Sequence, residues 1–199
     1  MASGSGTALK IIILGNRGVG KTSLINRYVL KKFHEQYVAT YGALFVTKEI
    51  LIGDAPVTLQ IWDTAGQDRF QSFCTPFYRL ADCCILLYDV NVGNSFDTLD
   101  SWHDALFNQM NPQDRPLDLP KLPLILLGNK VDVAGGKRRV ASIKRAEDWC
   151  ASKGHIPYFE TSAKVNFNVD SVFVHAAQFA LNPDLGITLR EPASDRARK

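Results

Sequence analysis

Residues 15–22 read Gly15-Asn16-Arg17-Gly18-Val19-Gly20-Lys21-Thr22, the spacing G-x-x-x-x-G-K-[ST]. Glycines let a backbone wrap around phosphates and aim its N–H groups inward. A helix opening at Lys21 adds positive potential at its first turn. The segment from Asn16 to Ser23 is therefore expected to cradle phosphates. Gly18, Val19 and Gly20 offer backbone, Lys21 reaches the terminal phosphates, and the Thr22 hydroxyl reaches a magnesium ion.

Trp62-Asp63-Thr64-Ala65-Gly66-Gln67 ends a strand-like run. Asp63 is placed to hold Mg²⁺ directly or through water. The Gly66 N–H can meet a γ-phosphate where a side chain would clash, and Gln67 can orient an attacking water. Asn129-Lys130-Val131-Asp132 follows another apolar run. The Asp132 carboxylate can accept from guanine N1–H and the exocyclic amine. Adenine lacks that donor pair, a mismatch worth on the order of 10⁴-fold. In Thr161-Ser162-Ala163-Lys164, backbone N–H groups can meet guanine O6 while the Lys164 stem covers the base. Thr40 lies in a polar stretch, Phe33 to Thr40, where its hydroxyl and N–H can meet Mg²⁺ and the γ-phosphate. Alone, each of these last three strings is as readily an ordinary turn. Downstream of a P-loop they gain weight together.

The elements that must position these residues follow from the apolar pattern. Strand-like runs cover Leu9–Leu14, Leu44–Ile52, Val57–Asp63, Cys83–Tyr88, Leu122–Leu127 and Ile156–Phe159. Helical spacing covers Lys21–Leu30, Ser95–Met110, Ala141–Lys153 and Val169–Leu181. Gly53-Asp54-Ala55-Pro56 reads as a hairpin turn. Alternating strand and helix predicts an α/β fold, six strands in a mostly parallel sheet. One antiparallel strand lies at an edge, and about five helices cover both faces. Such sheets bind ligands beyond the carboxyl ends of their strands, which puts the motifs in one crevice.

The chain has 199 residues, 46% hydrophobic and 22% charged, enough for one domain with a substantial core. That domain is expected over 8–181, between a flexible 1–7 and a flexible 182–199. A net charge of +3 is too weak to point to nucleic acid. The four cysteines, Cys74, Cys83, Cys84 and Cys150, form no C-x-x-C pair. Free thiols fit a reducing compartment such as the cytosol. No stretch has the length of a membrane span.

Taken in order, these strings resemble the P-loop fold of the Ras superfamily of small GTPases, and within it the Rab family, over about residues 8–181. Rab-like character lies in residues 59–70, Phe77-Tyr78-Arg79 and Thr40-Tyr41-Gly42-Ala43-Leu44-Phe45. Residues 28–33, Ala81-Asp82-Cys83-Cys84, Leu99-Asp100-Ser101-Trp102 and 156–164 are similar to the subfamily acting at late endosomes and lysosomes. The resemblance implies a GTP/GDP switch with slow GTP hydrolysis that recruits effectors to an endosomal membrane. Exchange factors and GTPase-activating proteins would be further partners, and the protein would be a monomer. It implies that Phe33 stacks on the guanine edge and that Tyr37 and Thr40 close over the phosphates. Tyr41 to Phe45, Trp62 and Phe77 would face effectors.

The chain departs from that family at several points. Arg17 stands where a small residue is usual, beside the γ-phosphate. Crowding of Gln67 and of an incoming arginine finger is the favoured consequence. Tyr41 replaces an isoleucine, Leu80 a glycine, and the loop Gln109–Lys121 is a few residues longer. Rabs end in prenylated cysteines, whereas the last cysteine here is Cys150. The expectation is a sequence truncated before a prenylation motif. Two other readings compete: an ATP-dependent P-loop kinase or ATPase, and a guanine-nucleotide-bound scaffold that barely hydrolyses GTP.

Overall fold

A computed structural model describes residues 6–36, 38–40, 42–66, 78, 80–109, 122–133 and 139–183. The first strand, β1 (Thr7–Leu14), is the apolar run expected at the start, and Ile11 to Leu14 expose nothing. A strand this apolar on consecutive residues must be covered on both faces. It is covered: Ile11 and Ile13 belong to one core cluster, Ile12 and Leu14 to a second on the opposite face.

Helix α1 (Lys21–Leu30) follows, with the bounds the spacing predicted. Strands β2 (Ala43–Ile52) and β3 (Ala55–Thr64) form an antiparallel pair. The four-residue turn expected between them shrinks to Gly53-Asp54, because Ala55 and Pro56 already pair with Ile52 and Leu51. Then come β4 (Cys83–Asp89), β5 (Leu124–Asn129) and β6 (Tyr158–Glu160). The sheet runs β2-β3-β1-β4-β5-β6, parallel except at the β2–β3 edge. The α/β architecture is thus the one expected.

The helix expected over Ser95–Met110 is broken into α2 (Gly93–Asp97) and α3 (Leu99–Gln109). Thr98 separates them. Its hydroxyl lies 3.1 Å from the Asn94 carbonyl and 3.0 Å from Asn16 Oδ1, so one proton is shared between the helix and the loop after β1. Helix α4 (Ile143–Ser152) starts two residues later than expected, because Ser142 caps it by accepting from the Arg145 N–H. Helix α5 (Val169–Leu181) completes the fold. Helices α1 and α5 cover one face of the sheet, where Tyr28 stacks on Phe173 at 4.0 Å. The other face holds Trp102 and Leu106 of α3 with Ala146 and Cys150 of α4. Each fully buried large side chain contributes about 1.5–3 kcal/mol.

Cys83, Cys84 and Cys150 are free and buried. Burial pushes all three thiols up, Cys150 to about 12, so they are unreactive packing groups. Leu80 sits at φ 58, a left-handed conformation that glycine adopts without strain. Among the described residues no helix is long and apolar enough to cross a membrane. Cys74, Tyr41, the segment 67–77, the loop 110–121 and the tail 184–199 lie outside the described residues.

Gly15 carries the turn out of β1 at φ 141, and a Cβ there would collide with the Leu87 carbonyl of the adjacent β4. Neither backbone can move without breaking the sheet. Gly15→Ala is therefore expected to lower stability by about 1–3 kcal/mol. Chemical denaturation of the two proteins in parallel checks it.

Candidate functional site

All five parallel strands end on the same side of the sheet, and a cavity of about 390 Å³ opens there. Of the residues singled out in the sequence, Arg17, Gly18, Gly20, Lys21, Thr22, Ser23, Phe33, Thr40, Gly66, Asn129, Lys130, Asp132, Ala163 and Lys164 line it. Asn16, Val19, Asp63 and Ser162 stand behind that lining. Tyr37 and Gln67 lie outside the described residues.

At one end the loop after β1 turns through Gly18 (φ 80) and Gly20 (φ 103) into α1, and no side chain caps the helix. Its first N–H groups therefore have no side-chain cap beside the cavity-lining Gly20, Lys21 and Thr22, and an anion is favoured there. Lys21 is buried, its ammonium donating to the Gly15 carbonyl (2.7 Å) and the Asn16 carbonyl (3.1 Å). The Asn16 side chain turns away from the cavity. Its Oδ1 accepts from the Trp102 indole N–H at 2.6 Å, which ties the loop to α3. Val19 is buried in the core and contributes its carbonyl, not its side chain. Gly66 leans on this loop so closely that a Cβ would lie 2.5 Å from the Arg17 nitrogen.

Beside Lys21, three oxygen-bearing side chains converge from α1, the Phe33–Thr40 stretch and β3. Thr22 Oγ1 donates to Asp63 Oδ2 at 2.6 Å and lies 2.8 Å from Thr40 Oγ1. Asp63 Oδ1 is buried and has no hydrogen-bond partner. Burial holds the Asp63 carboxyl above its usual range, opposed by the Thr22 hydrogen bond, the charge of Lys21 and Thr40. An orphaned carboxylate oxygen beside two hydroxyls is an oxygen donor set suited to Mg²⁺, which takes few protein ligands when phosphates supply others. Thr22, Thr40 and Asp63 fit the ion on that ground. Among the described residues there is no cluster of three His, Cys, Asp or Glu side chains that would serve a different metal.

At the other end lies a second group. Asn129 is buried at the end of β5; its amide donates to the Val19 carbonyl at 2.9 Å. Its Oδ1 accepts from the Ala163 N–H and the Thr161 hydroxyl, both at 3.3 Å. Lys130 lies over the loop, its ammonium on the Gly18 carbonyl (2.6 Å) and on Asp89 (2.8 Å). The Ser162 hydroxyl donates to Asp132 Oδ1 at 2.5 Å and so orients that carboxylate rather than facing the cavity. The Ala163 N–H points to Asn129 and the Lys164 ammonium to Glu35 at 3.1 Å.

Four further contributors were not evident from spacing: Trp102, Thr98, Asp89 and Arg27. A tryptophan on an apolar helix face reads as core, and its indole N–H is silent in a hydropathy pattern. Arg27 reads as an ordinary basic residue in the last turn of a helix, yet it reaches loops more than 130 positions away.

The family model that matches this chain is that of the Ras family, over residues 10–182. A Ras-related protein Rab7 of Vigna aconitifolia is 64% identical over 176 residues, 88% of this chain and 83% of that protein. One from Glycine max is 62% identical with the same coverage. Ras-related protein RABG3a of Arabidopsis thaliana is 61% identical over 182 residues, 91% of this chain and 86% of that protein. With a glycine-rich loop, an oxygen donor set and the Asp132 carboxylate around one cavity, and with these relatives, this chain belongs to the Ras family of small GTPases, as a Rab7-like GTP-hydrolysing switch.

Proposed function

We propose that the cavity holds a guanine nucleotide with Mg²⁺, and that the switch regulates vesicle traffic toward late endosomes and lysosomes by recruiting effectors. The observation that carries the nucleotide assignment is the convergence of four separate chain segments on one cavity, riveted by Asn129. In this reading Lys21 and the loop N–H groups bind the phosphates. Thr22, Thr40 and Asp63 hold Mg²⁺, which supplies charge neutralisation across the phosphate oxygens when bound. Asp132, oriented by Ser162, selects guanine, and the stems of Lys130 and Lys164 with the Phe33 ring enclose the base. Gln67 orients the attacking water.

Effector recruitment is supported by an exposed apolar edge on β2: Leu44 is 65% and Phe45 54% exposed, and Phe45 stacks on Trp62 at 5.0 Å. The likeness to Rab7 proteins supports the endosomal assignment. Thr40 reaches the metal-suited group from a largely exposed stretch. Contacts made only with the triphosphate would order that stretch and release it on hydrolysis.

Competition between GDP and ADP tests the nucleotide assignment, with a preference for GDP on the order of 10⁴-fold expected. Equal affinity would refute it.

The Asp63 carboxyl is held up by burial, so in the metal-free fold its charge is destabilising. That cost is absent at pH low enough to protonate the unfolded chain and sets in as pH rises through the elevated folded value. Asn in place of Asp63 removes this charge. Asp63→Asn is expected to melt higher than the parent in EDTA at neutral pH, yet to lose most of the stabilisation that added Mg²⁺ and GDP give. Paired thermal melts with and without metal decide it.

A second reading, a nucleotide-dependent scaffold with very slow hydrolysis, is kept by Arg17. This exposed residue lines the cavity beside Gly66, where it would crowd Gln67. Arg17→Ser is expected to raise the single-turnover rate of GTP hydrolysis about tenfold, or about 1.4 kcal/mol of barrier. An equal or slower rate in the variant would count against crowding.

A further inference from the structure

Arg27 sits in the last turn of α1, half-buried, seven-tenths of the way along the helix that begins with Lys21 and Thr22. Its guanidinium makes three hydrogen bonds, all to backbone carbonyls. Nε donates to the Ala163 carbonyl at 2.8 Å and Nη2 to the Lys164 carbonyl at 2.9 Å. Nη1 donates to the Lys31 carbonyl at 3.0 Å. Lys31 is the left-handed residue (φ 58) through which α1 exits toward Phe33, and the Phe33 ring centroid lies 5.9 Å from the Arg27 guanidinium carbon. One planar fork therefore joins the helix, the segment carrying Phe33, and the loop carrying Ala163 and Lys164.

The orientation of the loop follows from this. In a trans peptide the carbonyl and the next N–H point opposite ways. Drawing the Ala163 carbonyl onto Arg27 turns the Lys164 N–H away from Arg27, toward the cavity that Ala163 and Lys164 line. Drawing the Lys164 carbonyl onto Arg27 turns the Val165 N–H the other way, and that group lies on Ser162 Oγ at 3.2 Å. Ser162 is the residue that orients Asp132. An N–H aimed into the cavity next to a carboxylate acceptor matches a base bearing a ring carbonyl beside an N–H donor, an oxopurine.

We propose that Arg27 is a positioning residue for the oxopurine base, setting how long the nucleotide stays bound; this rests on the guanine-nucleotide reading above. It acts through the backbone of Ala163 and Lys164 and touches neither the phosphates nor the reacting atoms. Its effect therefore separates from hydrolysis. Charge alone does not reproduce it, because a lysine ammonium cannot span three carbonyls in one plane.

The test uses the full chain loaded with N-methylanthraniloyl-GDP in Mg²⁺ buffer, chased with excess GDP. Arg27→Ala is expected to release the probe at least about tenfold faster, the equivalent of one lost charge-assisted hydrogen bond. Arg27→Lys is expected to remain closer to the alanine variant than to the parent. The single-turnover rate of preloaded GTP should stay within about twofold of the parent in both, as the γ-phosphate lies at the far end of α1. Release within about twofold of the parent overturns the proposal. So does full rescue by lysine, or a change in release matched by an equal change in hydrolysis. Should Arg27→Ala not fold, Arg27→Lys is read by the same criteria. A parent that holds no GDP sinks the nucleotide reading itself, whereas a parent that holds it beside an unaffected variant sinks only the assignment to Arg27.

Discussion

A single buried carboxamide holds the two halves of the site together. Asn129 donates to the carbonyl of Val19 and accepts from the N–H of Ala163 and the hydroxyl of Thr161. The loop after β1 and the loop after β6 are more than 140 positions apart in sequence, and neither is regular structure that could hold its own shape. Hydrogen bonds in a water-free environment are strong, and a partner left unpaired there is costly. The same residue's carbonyl also accepts from the Val90 N–H, so the rivet is anchored in the β4–β5 pair. The spacing between the loop after β1 and the loop after β6, across the cavity, is fixed through this group.

Around it the protein uses rigid elements as rulers. Helix α1 spans about 15 Å. Its first turn presents Lys21 and Thr22, and its last presents Arg27 to the base loop. Near the loop after β6 a part-buried polar chain runs from Tyr88 to the Tyr158 hydroxyl (2.9 Å), then to Glu160 (2.6 Å) and Arg139 (2.7 Å). Gly128 leaves room for it, since a Cβ there would lie 2.9 Å from the Tyr158 hydroxyl. Burial pushes the Tyr88 phenol up to about 12 and raises that of Tyr158 as well, so this chain carries protons on its phenols at neutral pH. It acts as a floor for the Glu160-to-Ser162 turn.

The Asp63 end of the cavity is built on the opposite principle. Asp63 keeps one buried oxygen, Oδ1, without a partner, and Thr40 reaches its other oxygen at 3.4 Å from a stretch that the core does not cover. A group whose hydrogen-bonding capacity is incomplete in the protein alone gains most from a ligand that completes it. Asn129 holds its end of the cavity through internal hydrogen bonds. The Asp63 end keeps one buried oxygen unpaired, and on the reading proposed above it would respond to which nucleotide is present.

Much of this was legible in the residues. Gly15 to Thr22, Asp63, Asn129 to Asp132 and Thr161 to Lys164 are short strings whose chemistry is local, so spacing exposes them. Periodicity located the six strands and the longer helices because apolar alternation follows directly from burial. What spacing leaves open is the direction in which side chains face. Asn16 and Ser162 are expected to offer backbone N–H groups, and the structure adds that the Trp102 indole holds the Asn16 side chain while the Ser162 hydroxyl holds Asp132. The break at Thr98 was invisible too, where its hydroxyl meets an oxygen on a loop 82 positions earlier. Composition and periodicity alone determined the sheet, the order of its elements and which residue types bear chemistry. They do so because hydrophobic burial and backbone geometry act over a few neighbouring positions. Only the folded molecule decided which of those groups face the ligand and which face each other, because a hydrogen bond is directional and its partner can lie anywhere along the chain.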